Sequence, residues 1–168
     1  MHRVYVSLGS NINRFQHIGA ALDALDERFS PLTISKVYDC QPIGFIGDNF
    51  LNLVVGFDSQ LSVGEIMNVL HEIEDNNNRQ RTGPKFGART LDIDILLYDN
   101  LVGVIDGVTL PRGEIIENAF VLLPLTDIAG DKIHPELNVT YNSLWQSYNQ
   151  TSQHLSEIEF IWQKRKIS

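Results

Sequence analysis

The sequence predicts an α+β fold in which an antiparallel sheet carries helices packed on one face. Two-residue alternation of apolar and polar side chains marks four strands, and apolar spacing of three and four residues marks two helices. These segments come in the order β-α-β-β-α-β, a split β-α-β arrangement.

The first strand is read from Val4, Val6 and Leu8, which alternate with Tyr5 and Ser7. Gly9, Ser10, Asn11 and Asn13 follow as turn and cap residues, without the longer glycine pattern of a dinucleotide or P-loop fingerprint. Phe15, Ile18, Leu22, Leu25 and Phe29 then recur at helical spacing. Residues 32–39 read as the second strand and 50–58 as the third, separated by turn chemistry at Pro42, Gly44 and Gly47. On the third strand Leu51, Leu53, Val55 and Phe57 share one face, and Phe50 and Asn52 share the other. Ser62 and Glu65 form a capping box that opens the second helix. Ile66, Leu70 and Ile73 supply its core stripe, and it ends in the run Asn76-Asn77-Asn78.

The fourth strand carries Asp92 and Asp94. Beyond it, residues 101–105 are expected to form a short hairpin with that strand. Residues 115–128 hold a helical segment around Phe120, Leu122 and Leu123 that Pro124 interrupts, and a further helix is expected near 140–149. The stretch 151–168 mixes Trp162 with a basic Lys164-Arg165-Lys166 end and reads either as a helix packed on the sheet or as a mobile end.

With 168 residues the chain is expected to form a single domain over 1–168. Its 13 Lys+Arg against 21 Asp+Glu, net charge −8, argue against a general nucleic-acid binder. Cys40 is the one cysteine, which excludes an intrachain disulfide and a Cys-rich metal site. No apolar stretch reaches transmembrane length, and the chain opens on a strand-like run rather than a signal core. A cytoplasmic monomer without membrane or nucleic-acid partners is the expectation.

Residues 85–97, KFGARTLDIDILL, carry the chemistry. On a strand, positions two apart face the same way, so Asp92 and Asp94 project side by side while Ile93 and Ile95 pack behind them. Adjacent carboxylates are costly unless a positive group lies between them. A hard divalent ion such as Mg²⁺, which keeps several waters and binds substrate phosphates, answers that need. The alternative is an edge strand that uses carboxylates to discourage pairing with other sheets. Between Lys36 and Arg112 the Lys and Arg residues are Arg79, Arg81, Lys85 and Arg89, all just before the aspartates. Such a cluster in an acidic chain suits a polyanion clamp, because the guanidinium fork matches phosphate oxygens. A solvated loop is the alternative.

KFGARTLDIDILL closely resembles the signature of the 6-hydroxymethyl-7,8-dihydropterin pyrophosphokinase family. VYVSLGSNI resembles that family's opening strand and turn, VYDCQPIGFIGDNFLN its pterin-binding loop and strand, and AFVLLPL a later segment. Together these cover most of residues 3–127 in the family's order. The resemblance implies a ferredoxin-like fold and transfer of pyrophosphate from ATP to a reduced pterin in folate biosynthesis, releasing AMP. It implies that Asp92 and Asp94 bind two Mg²⁺ ions. It places His71, Glu74, Arg79, Arg81, Arg89, Thr109 and Arg112 around ATP, with Arg79, Arg81 and Arg89 also serving catalysis. On the pterin side it places Phe50 and Phe120 against the ring and Asn52 at its edge. It adds main-chain contacts from Cys40, Gln41 and Ile43, a cover from Phe86, and a share for Asp92.

The chain departs from the family pattern at several positions. Phe86 and Ala88 stand where many relatives carry Trp and Pro, Arg112 replaces a His, and Asn118 stands where an Arg is often found. Glu114 and Glu117 add negative charge, which predicts a raised Michaelis constant for ATP with a functioning chemical step. A diverged relative that binds pterin or nucleotide without catalysis is the alternative of a different class.

Overall fold

The computed structural model describes residues 1–44, 46–78 and 90–168. The readings made on Arg79, Arg81, Lys85, Phe86, Ala88 and Arg89 lie outside the described residues.

The sheet is built around β1 (His2–Ser10), which pairs antiparallel with β4 (Phe50–Ser59) on one side and β5 (Asp92–Tyr98) on the other. The predicted second strand is split into β2 (Thr33–Ile34) and β3 (Val37–Cys40), both paired with β4. At the break, Ser35 keeps the bonding to β4: its N–H donates to Val54 O and its Oγ accepts from Val54 N. β8 (Leu155–Ile158) adds to the far edge of β3, so the order across the sheet is β5-β1-β4-β3-β8. With β2 and β3 taken as one strand, the β5-β1-β4-β3 part is the antiparallel order of a ferredoxin-like fold.

On one face lie α1 (Arg14–Phe29) and α2 (Val63–Asn76). Val4, Val6, Leu8, Leu51, Leu53, Val55, Phe57, Ile93 and Ile95 form the floor of that core. Ile18, Leu22, Leu25 and Phe29 bury as the spacing predicts, but Phe15, on the first turn, is 51% exposed and stacks on Phe160. The predicted capping box is present: Glu65 N donates to Ser62 Oγ and Ser62 N to Glu65 Oε1.

Helices cover the opposite face as well, which corrects the one-face expectation. Tyr5, Val54, Leu96 and Leu97 form a second core with Ile115 of α3 (Glu114–Glu117), Val121, Leu122 and Leu125 of α4 (Ala119–Ala129), and Tyr141 of α5 (Tyr141–Ser147). β4 is buried along almost its whole length, so it requires apolar cover on both sides. α4 runs through Pro124; the burial of Val121, Leu122, Pro124 and Leu125 outweighs the one hydrogen bond that proline removes.

Two further expectations are corrected. β6 (Gly103–Ile105) pairs with β7 (Val108–Leu110) rather than with the fourth strand. The turn between them is Asp106-Gly107, with φ of 51° and 82°, the double positive φ that a tight two-residue hairpin demands. The stretch 151–168 is neither helix nor loose end. It supplies β8 and a small hairpin of β9 (Ile161–Trp162) with β10 (Arg165–Lys166). Phe160 and Trp162 enter the α1/α2 core, and Trp162 Nε1 donates to Asp23 Oδ1 at 2.9 Å. Among the described residues, no helix is long and apolar enough to cross a membrane.

Trp162 thus ties the last hairpin to α1 through both burial and a hydrogen bond. Trp162→Ala is expected to cost about 3 kcal/mol or more, read from the urea midpoint at unchanged slope. A loss below about 1 kcal/mol would show that this hairpin does not share the main core.

Candidate active site

The antiparallel register brings the candidate residues together. Asp92 lies opposite Gly9, Gly9 opposite Asn52, and Asn52 opposite Tyr38, a row that crosses four strands. In the next row Asp94 lies opposite Ser7 and Ser7 opposite Val54, and on the other side Phe50 pairs with Cys40. Directly opposed residues share a face. Both aspartates, Asn52, Phe50 and Cys40 therefore share the face on which α4 packs over Val54.

Gly9 is a close-approach position. A Cβ there would lie 2.8 Å from Asn52 Oδ1, so the missing side chain lets Asn52 lie over β1, while Phe50 Cδ1 at 3.8 Å would be in ordinary contact. Asn52 is buried, and the nearby Cys40 thiol donates to Tyr38 O at 3.6 Å, with its pKa driven upward by burial. Phe120, in the first turn of α4, packs against the cluster that contains Val54 and Leu96. Gln41 and Ile43 lie exposed on the segment that leaves Cys40.

The acidic side of the face is dense. The Asp94 side chain is 24% exposed, and its pKa is pushed up to about 7, first by burial and then by Asp92. Arg112 Nη2, at 3.5 Å, offsets part of that, while Glu114 and Glu74 add to it. Glu74 is buried on α2, and its Oε2 accepts the Ile93 N–H at 2.9 Å, between the two aspartates in sequence. β5 shifts register between Tyr5/Leu97 and Val6/Ile95, which bulges Leu96. The Leu96 carbonyl accepts the Arg112 N–H at 3.0 Å, and this sets Arg112 beside Asp94. The guanidinium is shared, since its Nη2 and Nε each lie 3.2 Å from Glu114 Oε1. The charge of Arg112 is thus divided between two carboxylates.

β5 does stand at a sheet edge, as the gatekeeper alternative requires. Its aspartates, however, project from the sheet face, Asp94 is mostly buried, and Arg112 already occupies an edge carbonyl. Charges that guard an edge work by being exposed there.

His71 lies on α2 one turn before Glu74 and lines a groove of about 560 Å³ with Met67, Asn68, Gly107 and Val108. Thr109 is next to Val108 on β7, opposite Val104. Asp92, Asp94, Glu74 and Arg112 therefore form one cluster, with His71 and Thr109 beside it and the pterin-side candidates along the sheet. Among the described residues, no group of three or more His, Cys, Asp or Glu is arranged to hold a metal ion by itself.

Sequence reading missed the bonds that brace the wall around Cys40. Arg14 reaches Asp39 at 2.9 Å, and Asn49 Nδ2 donates to the other Asp39 oxygen at 2.8 Å. Burial pushes the Asp39 carboxyl up, but these bonds outweigh it and hold it below the usual range. Asn11 Nδ2 adds a bond to Asp48 O, and Ser10 Oγ donates to Thr90 O at the entrance to β5. No local spacing marks contacts between residues so far apart in sequence.

A family model described as 7,8-dihydro-6-hydroxymethylpterin-pyrophosphokinase (HPPK) matches residues 5–130. The 2-amino-4-hydroxy-6-hydroxymethyldihydropteridine pyrophosphokinase of Haemophilus influenzae is 32% identical over 143 residues, 83% of this chain and 89% of that protein. The protein of the same name from Pseudomonas aeruginosa is 34% identical over 140 residues, 81% and 86% of the two chains. The folate synthesis bifunctional protein of Arabidopsis thaliana is 33% identical over 96% of this chain, which spans only 33% of that protein. Among solved structures, Plasmodium falciparum HPPK-DHPS with SDX-DHP gives a TM-score of 0.77 over 99% of this chain and 48% of that one, at 14% identity, a likeness of fold. The chain thus spans most of the bacterial relatives but less than half of these longer ones.

The crowded carboxylates make a pH prediction. Asp94 binds its proton more tightly folded than unfolded, so its contribution to stability is full below the unfolded carboxylate pKa and is lost as pH rises through about 7. Asp94→Asn is therefore expected to raise the melting temperature in EDTA at pH 8 by roughly 2–8 °C, for on the order of 1–2 kcal/mol. It should also flatten the fall in melting temperature between pH 5 and 8. Parallel curves for the two proteins would show that the pair carries no such strain.

Proposed function

The chain belongs to the 7,8-dihydro-6-hydroxymethylpterin-pyrophosphokinase family, and from that premise we propose that it transfers pyrophosphate from ATP to the hydroxymethyl group of 6-hydroxymethyl-7,8-dihydropterin. The products are AMP and the pterin diphosphate, a step of folate biosynthesis in the cytoplasm. One observation carries the proposal: Gly9 lies opposite Asp92 on one side and Asn52 on the other, so a single cross-strand row joins the acidic end of the sheet face to its Asn52 end. A flat heterocycle lying over Asn52 has its substituent within reach of a phosphate chain held at the aspartates.

The donor set fits Mg²⁺. Two carboxylates offer hard oxygen ligands and too few for a closed protein cage, which suits an ion that completes its shell with water and substrate phosphate. When bound, the ions would neutralise charge on the transferred group and hold the phosphate chain for in-line displacement. Asp92 and Asp94 would hold two such ions.

The rest of the work falls to the chain's own residues. Asn52 offers both a donor and an acceptor to the edge of the ring, and Phe50 and Phe120 supply apolar faces for its two sides. Main-chain groups of Cys40, Gln41 and Ile43 complete the pocket, braced by the Asp39 bonds to Arg14 and Asn49. Glu74 fixes β5 relative to α2. His71 and Thr109 flank the nucleotide, with Arg112 on its phosphates. By the family resemblance, Arg79, Arg81 and Arg89 would carry charge to the phosphates and Phe86 would cover the site, excluding the water that competes as acceptor. The pterin hydroxyl oxygen bonds to the β-phosphorus as the bond from that phosphorus to the α,β-bridging oxygen breaks. AMP leaves with the bridging oxygen and the hydroxyl proton is released, so catalysis is chiefly positioning and electrostatics, carried by a monomer.

Arg112 bound to Glu114 favours weaker ATP binding, the feature a non-catalytic relative would share. The pyrophosphokinase reading accounts better for Asp92, Asp94 and Glu74 crowded together, since a binder gains nothing from their repulsion.

Purified protein with Mg²⁺, ATP and the hydroxymethyl dihydropterin should form AMP dependent on both pterin and metal, followed by chromatography. ADP as the product would overturn the pyrophosphokinase reading, and pterin binding with no nucleotide turnover would establish the non-catalytic alternative. Asp94→Ala should lower turnover by about a thousandfold or more while the circular dichroism spectrum is kept. Glu114→Gln should lower the Michaelis constant for ATP by roughly three- to tenfold, the scale of one charge contact, and leave that for pterin unchanged. An unchanged ATP value would show that Glu114 does not compete with phosphate for Arg112.

A further inference from the structure

We propose that Gln153 is a positioning residue for the pterin pocket, acting through the first turn of α4. The inference rests on the pterin reading of Phe120 and Phe50 given above, and Gln153 lies beyond the 5–130 stretch matched by the family model.

The start of α4 is not capped by its own sequence. Asn118 stands at the N-cap with extended backbone, φ −119° and ψ 122°, yet its side chain makes no capping bond. The Ala119 N–H, one of the donors left over at any helix start, goes instead to Gln153 Oε1 at 2.8 Å. Gln153 Nε2 donates in turn to Asn118 Oδ1 at 3.1 Å. Just upstream, Tyr148 Oη donates to Glu117 O at 2.8 Å. Three consecutive residues, 117, 118 and 119, are thus pinned by side chains from more than thirty positions away. The next residue is Phe120.

The same segment grips the opposite wall. Two residues after Gln153, Leu155 pairs with Cys40, and Cys40 pairs with Phe50. Residues 148–155 therefore run from the helix turn that carries Phe120 to the strand pair that carries Cys40 and Phe50. A ring held between two aromatic faces tolerates little change in their separation, because dispersion contacts weaken over a fraction of an ångström. Gln153 sets that separation from the α4 side. A glutamine suits the task, since it accepts from the helix N–H and donates to the cap residue at once. The phosphate-side groups are fixed by other bonds, from Glu74 to Ile93 and from Arg112 to Leu96.

Loss of Gln153 should thus affect pterin and spare ATP, a split that general loosening of the fold would not give. Gln153→Ala should raise the Michaelis constant for pterin by about 5- to 20-fold, in line with losing one cap and its orientation, with that for ATP within about twofold. Calorimetric titration with 6-hydroxymethyl-7,8-dihydropterin should show the same weakening. Gln153→Glu, which keeps the acceptor for Ala119 N–H, should restore most of the pterin affinity. An unchanged pterin constant in Gln153→Ala, or a loss shared equally by both substrates, overturns the proposal. A wild-type protein that binds pterin but forms no AMP overturns the transferase reading, and the titration of the two variants then decides the role of Gln153. A wild-type protein that binds no pterin overturns both.

Discussion

Burial of Ile93 and Ile95 beneath β5 is the interaction on which the rest depends. Both side chains are almost completely removed from solvent in the core under α1 and α2. Because alternate residues of a strand face opposite ways, this burial fixes Asp92 and Asp94 on the other face. A slip of one residue would put two carboxylates into the apolar core, at a cost of several kcal/mol per group. The register of the acidic pair is thus set by hydrophobic packing on the side away from the chemistry. The same rule acts on β4, where Leu51, Leu53 and Val55 bury toward the helices and turn Phe50 and Asn52 outward. Gly9, between them on β1, is small enough for one surface to serve both halves.

That arrangement is held against electrostatic resistance. Asp92, Asp94, Glu74 and Glu114 all bear on one short stretch of β5 and its neighbour, with Arg112 close by. The fold contributes the apolar layers on both faces, and the site draws on them. Glu74 illustrates the compromise: it adds repulsion to Asp94, yet its bond to the Ile93 N–H joins α2 to β5 where the aspartates must be held still. Strain of this kind is a usual mark of a functional surface, where local preference yields to a task.

What could be read from the sequence was what depends on near neighbours. Strand alternation, helix stripes, the Ser62–Glu65 cap and the facing of Asp92 with Asp94 are local patterns, and the structure reproduces them. What escaped depends on distant partners. β6 pairs with β7 because Asp106-Gly107 can take two positive φ angles, a turn signal that went unread beside the apolar run of the fourth strand. The helical segment read over 115–128 forms as α4 in spite of Pro124, but no local pattern says that it packs on the second face of the sheet. Phe15 obeys helical spacing and still stays half exposed, because periodicity does not say where a helix overhangs its sheet. The basic cluster that suggests a phosphate clamp, Arg79, Arg81, Lys85 and Arg89, lies outside the described residues.

The segment after α5 shows most clearly why composition misled. It is rich in polar residues, so no apolar stripe announces a helix, and its strand is only four residues long. Its order comes from partners: β3 offers a free edge, α4 offers uncapped donors, and α1 offers Asp23 to the indole of Trp162. Each of these is a backbone or side-chain group that would otherwise be left unsatisfied or poorly covered, which is costly when buried. The polar character that hid this segment from a hydrophobic pattern is what equips it to close the sheet edge and the helix end together. A stretch selected for satisfying distant donors and acceptors has no periodic signature of its own, and its place in the fold follows only once those partners are in position.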